Sequence, residues 1–172
     1  YTAHVKYNGF NDIRGGGAFS GRLTAPLVFA GAIAKGILNK KGIRIISHML
    51  TLGGIKDTRL DDLVYQEAQG TAILSNRIPM IDPEASKASE DALNKARMDL
   101  DSLGSTIETV IYGLNAGIGQ PGFESLESKL AAICFGVPGV KGIEFGRGFG
   151  LASMKGSASN DPFYYNDGIV KT

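Results

Sequence analysis

Antiparallel sheets packed on a helical layer, an α+β arrangement, is the fold class that the sequence predicts. Capped helical patterns alternate with β-branched runs, in the order helix, strand, helix, strand, helix and a pair of strands. No strictly repeated βαβ unit occurs, and the 24 glycines cluster in loops rather than forming a period. With 172 residues, 43% of them hydrophobic and 20% charged, residues 1–172 read as a single domain with its own core.

The first helix is expected to start at Thr24 as N-cap, with Pro26 in its first turn, and to run to about Lys40 before Gly42. Lys40 and Lys41 suit its C-terminal dipole. Leu27 to Ala34 is apolar nearly all round, which predicts a central, buried helix. Ile43 to Leu52, ending at Gly53-Gly54, reads as a strand. Lys56 to Pro79 is polar and mixed, a long excursion with a short helix across Asp61 to Ala68. A second helix begins at the Asp82 cap and Pro83 and reaches about Leu103, with Ala85, Ala88, Ala92, Leu93, Ala96 and Leu100 on its inner face. There follow a strand at Ser105 to Leu114, a Gly/Pro loop at Asn115 to Gly122 and a helix at Phe123 to Phe135. Two strands, near Val140 to Phe145 and Gly148 to Lys155, complete the pattern.

Eighteen basic against seventeen acidic residues give a formal charge of +1, so no overall field favours nucleic acid or an anionic membrane surface. Any anion must be held locally. Cys134 has no intrachain partner and lies in an apolar run, where it reads as a small buried hydrophobe in a cytoplasmic protein. No stretch reads as the roughly 18 or more apolar residues of a membrane span, and no secretion signal is recognisable. The chain starts at Tyr1 and stops at Thr172 in a polar run, and both ends read as cut.

The segment that carries chemistry is Asp12 to Thr24. Gly15-Gly16-Gly17 can adopt positive φ and bring backbone N–H groups close to a ligand, and the helix start just beyond favours an anion or an electron-rich group. Arg14 and Arg22 add charged donors, and Ser20 adds a hydroxyl. The pattern suits a phosphate or a polyoxygenated cofactor. It lacks the Lys-Ser/Thr ending of a nucleotide P-loop and the strand-linked spacing of a dinucleotide fingerprint. As a bare glycine run it is equally compatible with a surface turn.

The order of residues is more specific, because it resembles the chorismate synthase signature. In that family Tyr-Thr, Lys-Tyr and Asp-x-Arg lead into a glycine-rich turn, then Ser, a small residue, Arg, and a helix reading Ala-Gly-Ala-Ile-Ala-Lys. The corresponding residues are Tyr1-Thr2, Lys6-Tyr7, Asp12 and Arg14, Gly15 to Gly17, Ser20-Gly21-Arg22, and Ala30 to Lys35. The resemblance continues through Gly113, Gly117, Gly119 and Pro121, then Val140-Lys141-Gly142, Glu144 and Gly146, and finally Gly156-Ser157. It covers essentially the whole chain.

The resemblance implies part of a β-α-β sandwich and a lyase of aromatic amino-acid biosynthesis. The reaction would be elimination of phosphate from 5-enolpyruvylshikimate 3-phosphate to give chorismate, using reduced FMN without net redox change. It further implies FMN contacts at Ala18, Phe19, Ser20, Pro138 and Gly139, a homotetramer, and NADPH as a possible reductant of the flavin, while Arg14 and Arg22, as the charged donors of the turn, are the candidates for substrate or phosphate binding. Neither nucleic acid nor membrane is expected as a partner. Two departures matter. Alanine stands at 18 where the family usually has Arg or His. The family's two acid/base histidines belong to motifs not found in these residues, so no catalytic residue is assigned within the chain and the chain alone is expected to be inactive. The alternative reading is a non-catalytic folding and oligomerisation module with residual flavin or phosphate binding.

His4 and His48 are the two histidines. His48, in an apolar strand-like run, is expected to be a satisfied structural residue, and His4 an exposed strand or loop position. Asp57, Asp61 and Asp62 read as a solvated acidic patch, and no metal-ligand spacing is evident. Lys155, Ser157, Asn160 and Asp161 read either as a polar strand end leading towards the active site or as a turn begun by Gly156.

Overall fold

The structure, a computed structural model, describes residues 1–60, 67–166 and 168–171. In chain order the elements are helices α1 (Thr2–Lys6) and α2 (Thr24–Lys40), strands β1 (Arg44–Leu52) and β2 (Ile55–Lys56), and helices α3 (Glu67–Ser75) and α4 (Pro83–Met98). Strand β3 (Ser105–Tyr112), helices α5 (Leu126–Phe135) and α6 (Gly156–Ser159), and strands β4 (Tyr164–Asn166) and β5 (Ile169–Lys171) follow. Helices and antiparallel sheets occur together, an α+β fold. The sequence reads as one domain, while the contacts gather into two compact units, Tyr1–Ala25 with Gly117–Thr172, and Pro26–Ala116.

The unit 26–116 is built on a three-stranded antiparallel sheet in the order β2-β1-β3. Strands β1 and β2 form a tight hairpin, with Leu52 opposite Ile55 and Gly53-Gly54 between them at φ 56 and 87. Both central residues are left-handed, a turn that matches the strand twist and that glycine adopts without strain. Strand β3 pairs along β1 from Arg44↔Tyr112 to Leu52↔Ser105, with an irregularity between Met49 and Thr51. Hydroxyl pairs join β1 to β3, Ser47 to Thr109 at 2.8 Å on one side of the irregularity and Thr51 to Thr106 at 2.7 Å on the other. Leu52, Met80 and Ala85 form the core cluster, with Met49, Ile55, Ile78 and Leu103 packed against it.

Helix α4 starts as expected, Asp82 accepting the Glu84 N–H at 2.9 Å and Pro83 leading. Its buried face differs from the expected alanine stripe: Ala85, Ser86, Ser89 and Ala96 are buried, whereas Ala88, Leu93 and Leu100 are exposed. The serines are tolerated inside because each is bonded, Ser86 to the Ile78 carbonyl at 2.8 Å and Ser89 to Met80 Sδ at 3.4 Å. The helix ends at Met98, short of Leu103. Leu100 turns left-handed (φ 58), and the N–H groups of Leu100 and Asp101 reach back to the carbonyls of Arg97 and Ala96. These are the paired bonds of a Schellman stop, here made without glycine.

Asp57 is not a solvated carboxylate. It accepts the N–H of Ile81 at 2.6 Å and of Asp82 at 2.9 Å, and His48 Nδ1 lies 2.9 Å away. His48 Nε2 lies 2.9 Å from Glu108, directly opposite on β3. His48 is therefore the satisfied structural histidine that the sequence suggests. Asp61 and Asp62, and most of the short helix expected at 61–68, fall outside the described residues; α3 is described from Glu67.

Helix α2 has its expected bounds but not its expected burial. None of its residues is buried, and Leu27, Val28, Phe29, Ile33 and Ile37 are all more than half exposed. With its lead-in, Gly21–Lys40 has the length and apolar content of a membrane span, contrary to the sequence expectation. An apolar helix of a packed protein interior satisfies the same test.

In the other unit, Ser125 caps α5 by accepting the Ser128 N–H at 3.1 Å. Gly122–Glu124 forms a separate 3-10 turn before it. Cys134 is half-buried rather than enclosed. The two strands expected at 140–145 and 148–155 are absent. Gly146 and Gly148 take φ 57 and 52, and Gly148–Ser153 winds into 3-10 turns, leaving no extended run to pair. The strand pair lies later, in the β4–β5 hairpin. Gly156 does open a turn, the short α6.

Candidate functional site

The glycine turn has the backbone that its composition demands. Gly15, Gly16 and Gly17 sit at φ 62, 76 and 50, three successive conformations that side chains with a Cβ rarely adopt. At Gly15 a Cβ would stand 2.5 Å from Arg22 Nη2, so the Arg22 guanidinium occupies the space a side chain would need. Ser20, rather than Thr24, caps the helical stretch: its Oγ accepts the Arg22 N–H at 3.4 Å. Thr24 already has helical φ and ψ, and its hydroxyl donates to the Gly21 carbonyl at 2.8 Å.

Arg14 is engaged close to home. Its Nε and Nη2 fork onto Asp12 at 2.9 and 2.8 Å, and its backbone N–H donates to the same carboxylate at 2.9 Å. The Arg14 side-chain hydrogen bond, and then the backbone one, hold the Asp12 carboxyl below the usual carboxylate range; the same pairing raises Arg14. The pair is exposed, so it shapes the turn more than it stabilises the fold.

Beside the turn lies a hollow of about 700 Å³, bounded by α1, residues 10–13 and residues 16–19. Ala18 and Phe19, both expected at a cofactor, line it; Ser20, Arg14 and Arg22 do not. Tyr1, Tyr7 and Phe10 supply further ring faces, and Tyr7 meets Phe19 edge-on with centroids 6.2 Å apart. His4 also lines the hollow, on helix α1 rather than on the expected strand or loop. The aromatic spacing at positions 1, 7, 10 and 19 could have signalled this wall.

Pro138 and Gly139 lie outside this hollow, after α5. The Val140 N–H donates to the Val137 carbonyl at 3.3 Å, and Gly139 takes φ 93. That is a type II turn, with Pro and Gly in the positions its geometry prefers. A Cβ on Gly139 would meet nothing within 4 Å, so its backbone is open to close approach. Among the described residues no group of three or more His, Cys, Asp or Glu side chains could hold a metal ion.

The family model described as chorismate synthase matches residues 1–172, all of the chain. The chain belongs to the chorismate synthase family. It is 41% identical over 173 aligned residues to the chorismate synthase of Thermococcus kodakarensis, and 42% identical over 173 to that of Pyrococcus abyssi. Each comparison covers 100% of this chain and 46% of the relative, so the chain spans about half the length of these chorismate synthases. A crystal structure of chorismate synthase superposes with a TM-score of 0.82 over 97% of this chain and 52% of that one, at 22% identity. That likeness establishes a shared fold, including the α+β class read from the sequence.

Proposed function

We propose that this chain is the central portion of a single chorismate synthase domain and serves the lyase reaction of aromatic amino-acid biosynthesis. The observation that carries the reading is the family match along all 172 residues. The substrate would be 5-enolpyruvylshikimate 3-phosphate. Its allylic C–O bond breaks, phosphate leaves, a ring proton is lost, and the new double bond gives chorismate with no net oxidation.

The hollow by the glycine turn fits the ring of a flavin, since its walls are aromatic faces and glycine backbone. Ala18 and Phe19 would hold FMN there, while Ser20 just beyond the hollow, and Pro138 and Gly139 from their own turn, would add contacts from outside it. Reduced FMN, when bound, would supply electron density to the allylic system as the phosphate departs. The chain's own part is to orient and to exclude water: Phe19 and Tyr7 present ring surface, and the left-handed glycines admit a close ligand. Arg14 and Arg22, turned to Asp12 and to Gly15, would need to swing to meet a phosphate. The same reading carries a homotetramer, a cytoplasmic location and NADPH as a reductant of the flavin.

The family's acid/base histidine motifs are not among these residues, so the isolated chain is expected to form no chorismate. It would then act as a folding and assembly piece, a role that the unburied α2 favours. The test is a chimera in which this chain replaces the matching segment of the Thermococcus kodakarensis enzyme. Chorismate and phosphate should form with substrate and reduced FMN. A folded chimera that binds FMN yet makes no product would overturn the reading.

A further inference from the structure

The interior of the 26–116 unit holds a polar cluster that the flavin reading does not use, and the inference drawn from it stands independently of that reading. His48 on β1 has each ring nitrogen 2.9 Å from a carboxylate oxygen, Nδ1 from Asp57 Oδ2 and Nε2 from Glu108 Oε2. The side chains of His48, Asp57 and Glu108 are 0%, 0% and 9% exposed. Neither oxygen is idle. Asp57 Oδ2 accepts the Ile81 N–H at 2.6 Å, and Glu108 Oε2 accepts the Leu60 N–H at 2.5 Å.

The placement of hydrogens follows from these contacts. A ring with one hydrogen would set a nitrogen lone pair against a carboxylate lone pair at 2.9 Å, a separation too short for a water to fit between. A hydrogen moved onto either oxygen would compete with the backbone N–H already bonded there, and an unmade buried bond is costly. With hydrogens on both nitrogens, every contact joins a donor to an acceptor. Arg59 adds positive charge on the far side of Glu108, its Nη2 lying 3.1 Å from Oε1, near enough for ion pairing though not aligned as a hydrogen bond. Among the described residues, two cations then face two carboxylates.

We infer that His48 carries hydrogens on both ring nitrogens and works as a two-sided clamp on the 57–82 excursion. One side holds Asp57, which gathers the amides of Ile81 and Asp82 where α4 begins. The other side holds Glu108, which gathers the amide of Leu60, a residue only 1% exposed. Both ends of the excursion are thereby referred to one side chain in the middle of β1. The bond from the Met49 N–H to the Pro79 carbonyl, 2.7 Å, ties the next residue of β1 to the same end of the excursion.

Nitrogen–hydrogen correlation spectra of the 15N-labelled 172-residue chain at neutral pH test this directly. A directly bonded, slowly exchanging hydrogen is expected on both Nδ1 and Nε2 of His48. A bare ring nitrogen would overturn the assignment. His48→Gln, whose amide offers a donor to one carboxylate only, tests the clamp by hydrogen exchange. Exchange at Leu60 or at Ile81 and Asp82 should rise about tenfold or more, with α5 amides as the unchanged reference. Unchanged rates at all three would refute the clamp. Should the variant not fold, the ring spectrum of the unmodified chain still decides.

Discussion

At the glycine turn, Asp12 and Arg14 satisfy each other, and this sets what each can do. The folded Asp12 carboxyl titrates below its ordinary range because Arg14 donates to it. Its contribution is therefore present above the ordinary carboxylate range and is lost as pH falls through the lowered value. In Arg14→Gln the Asp12 midpoint should move back up, as followed by carboxyl carbon chemical shift; an unmoved midpoint would refute the pairing as its cause. Position 18 makes the opposite case, since alanine brings no side-chain donor to the hollow. Ala18→His, restoring one of the residues usual in the family, should tighten FMN about tenfold in a fluorescence titration of the chimera, the value of one added hydrogen bond to a charged group. The left-handed glycines were legible from three successive residues without Cβ. The direction of the arginines was not, because a fork onto a carboxylate two residues away leaves the same sequence signature as a donor awaiting phosphate.

Among the elements, the informative departure is the end of α4. Leu100 is 95% exposed and sits at φ 58, so its side chain gains little contact while its backbone is strained. Leu100→Gly should stabilise the chain by about 1 kcal/mol in urea unfolding, the cost of a non-glycine residue in the left-handed region. A loss of stability would mean that Leu100 makes contacts outweighing that strain. The start of α4 was legible because Asp82 and Pro83 act locally. Its end was not, since Met98 to Leu103 contains no glycine and the stop depends on carbonyls a turn earlier. The sequence read strands at 140–155 from scattered Val, Ile, Phe and Leu, but an extended run needs a neighbour to pair with, and Gly146 and Gly148 bend the chain first. His48 was legible as structural because a lone histidine in an apolar run must be satisfied. Its partners, at positions 57 and 108, were beyond the reach of local pattern.

For the molecule as a whole, α2 is the apolar surface left uncovered. Val28 and Phe29 are 70% and 71% exposed, and contiguous apolar area of this kind attracts dyes and other apolar surfaces. The isolated chain should bind a hydrophobic fluorescent dye, and Val28→Lys with Phe29→Lys should at least halve the signal; an equal signal would place the sticky surface elsewhere. The sheet has a different consequence, one of time. Strands β1 and β2 are joined by two glycines, whereas β3 meets β1 across 53 residues at one end (105 − 52) and 68 at the other (112 − 44). Closing the first loop takes microseconds and little entropy, while the second must wait for the intervening chain to be gathered in. Newly made chain therefore passes through a stage in which β1 already has β2 beside it and shows its other edge bare, the interval in which a chaperone has something to shield.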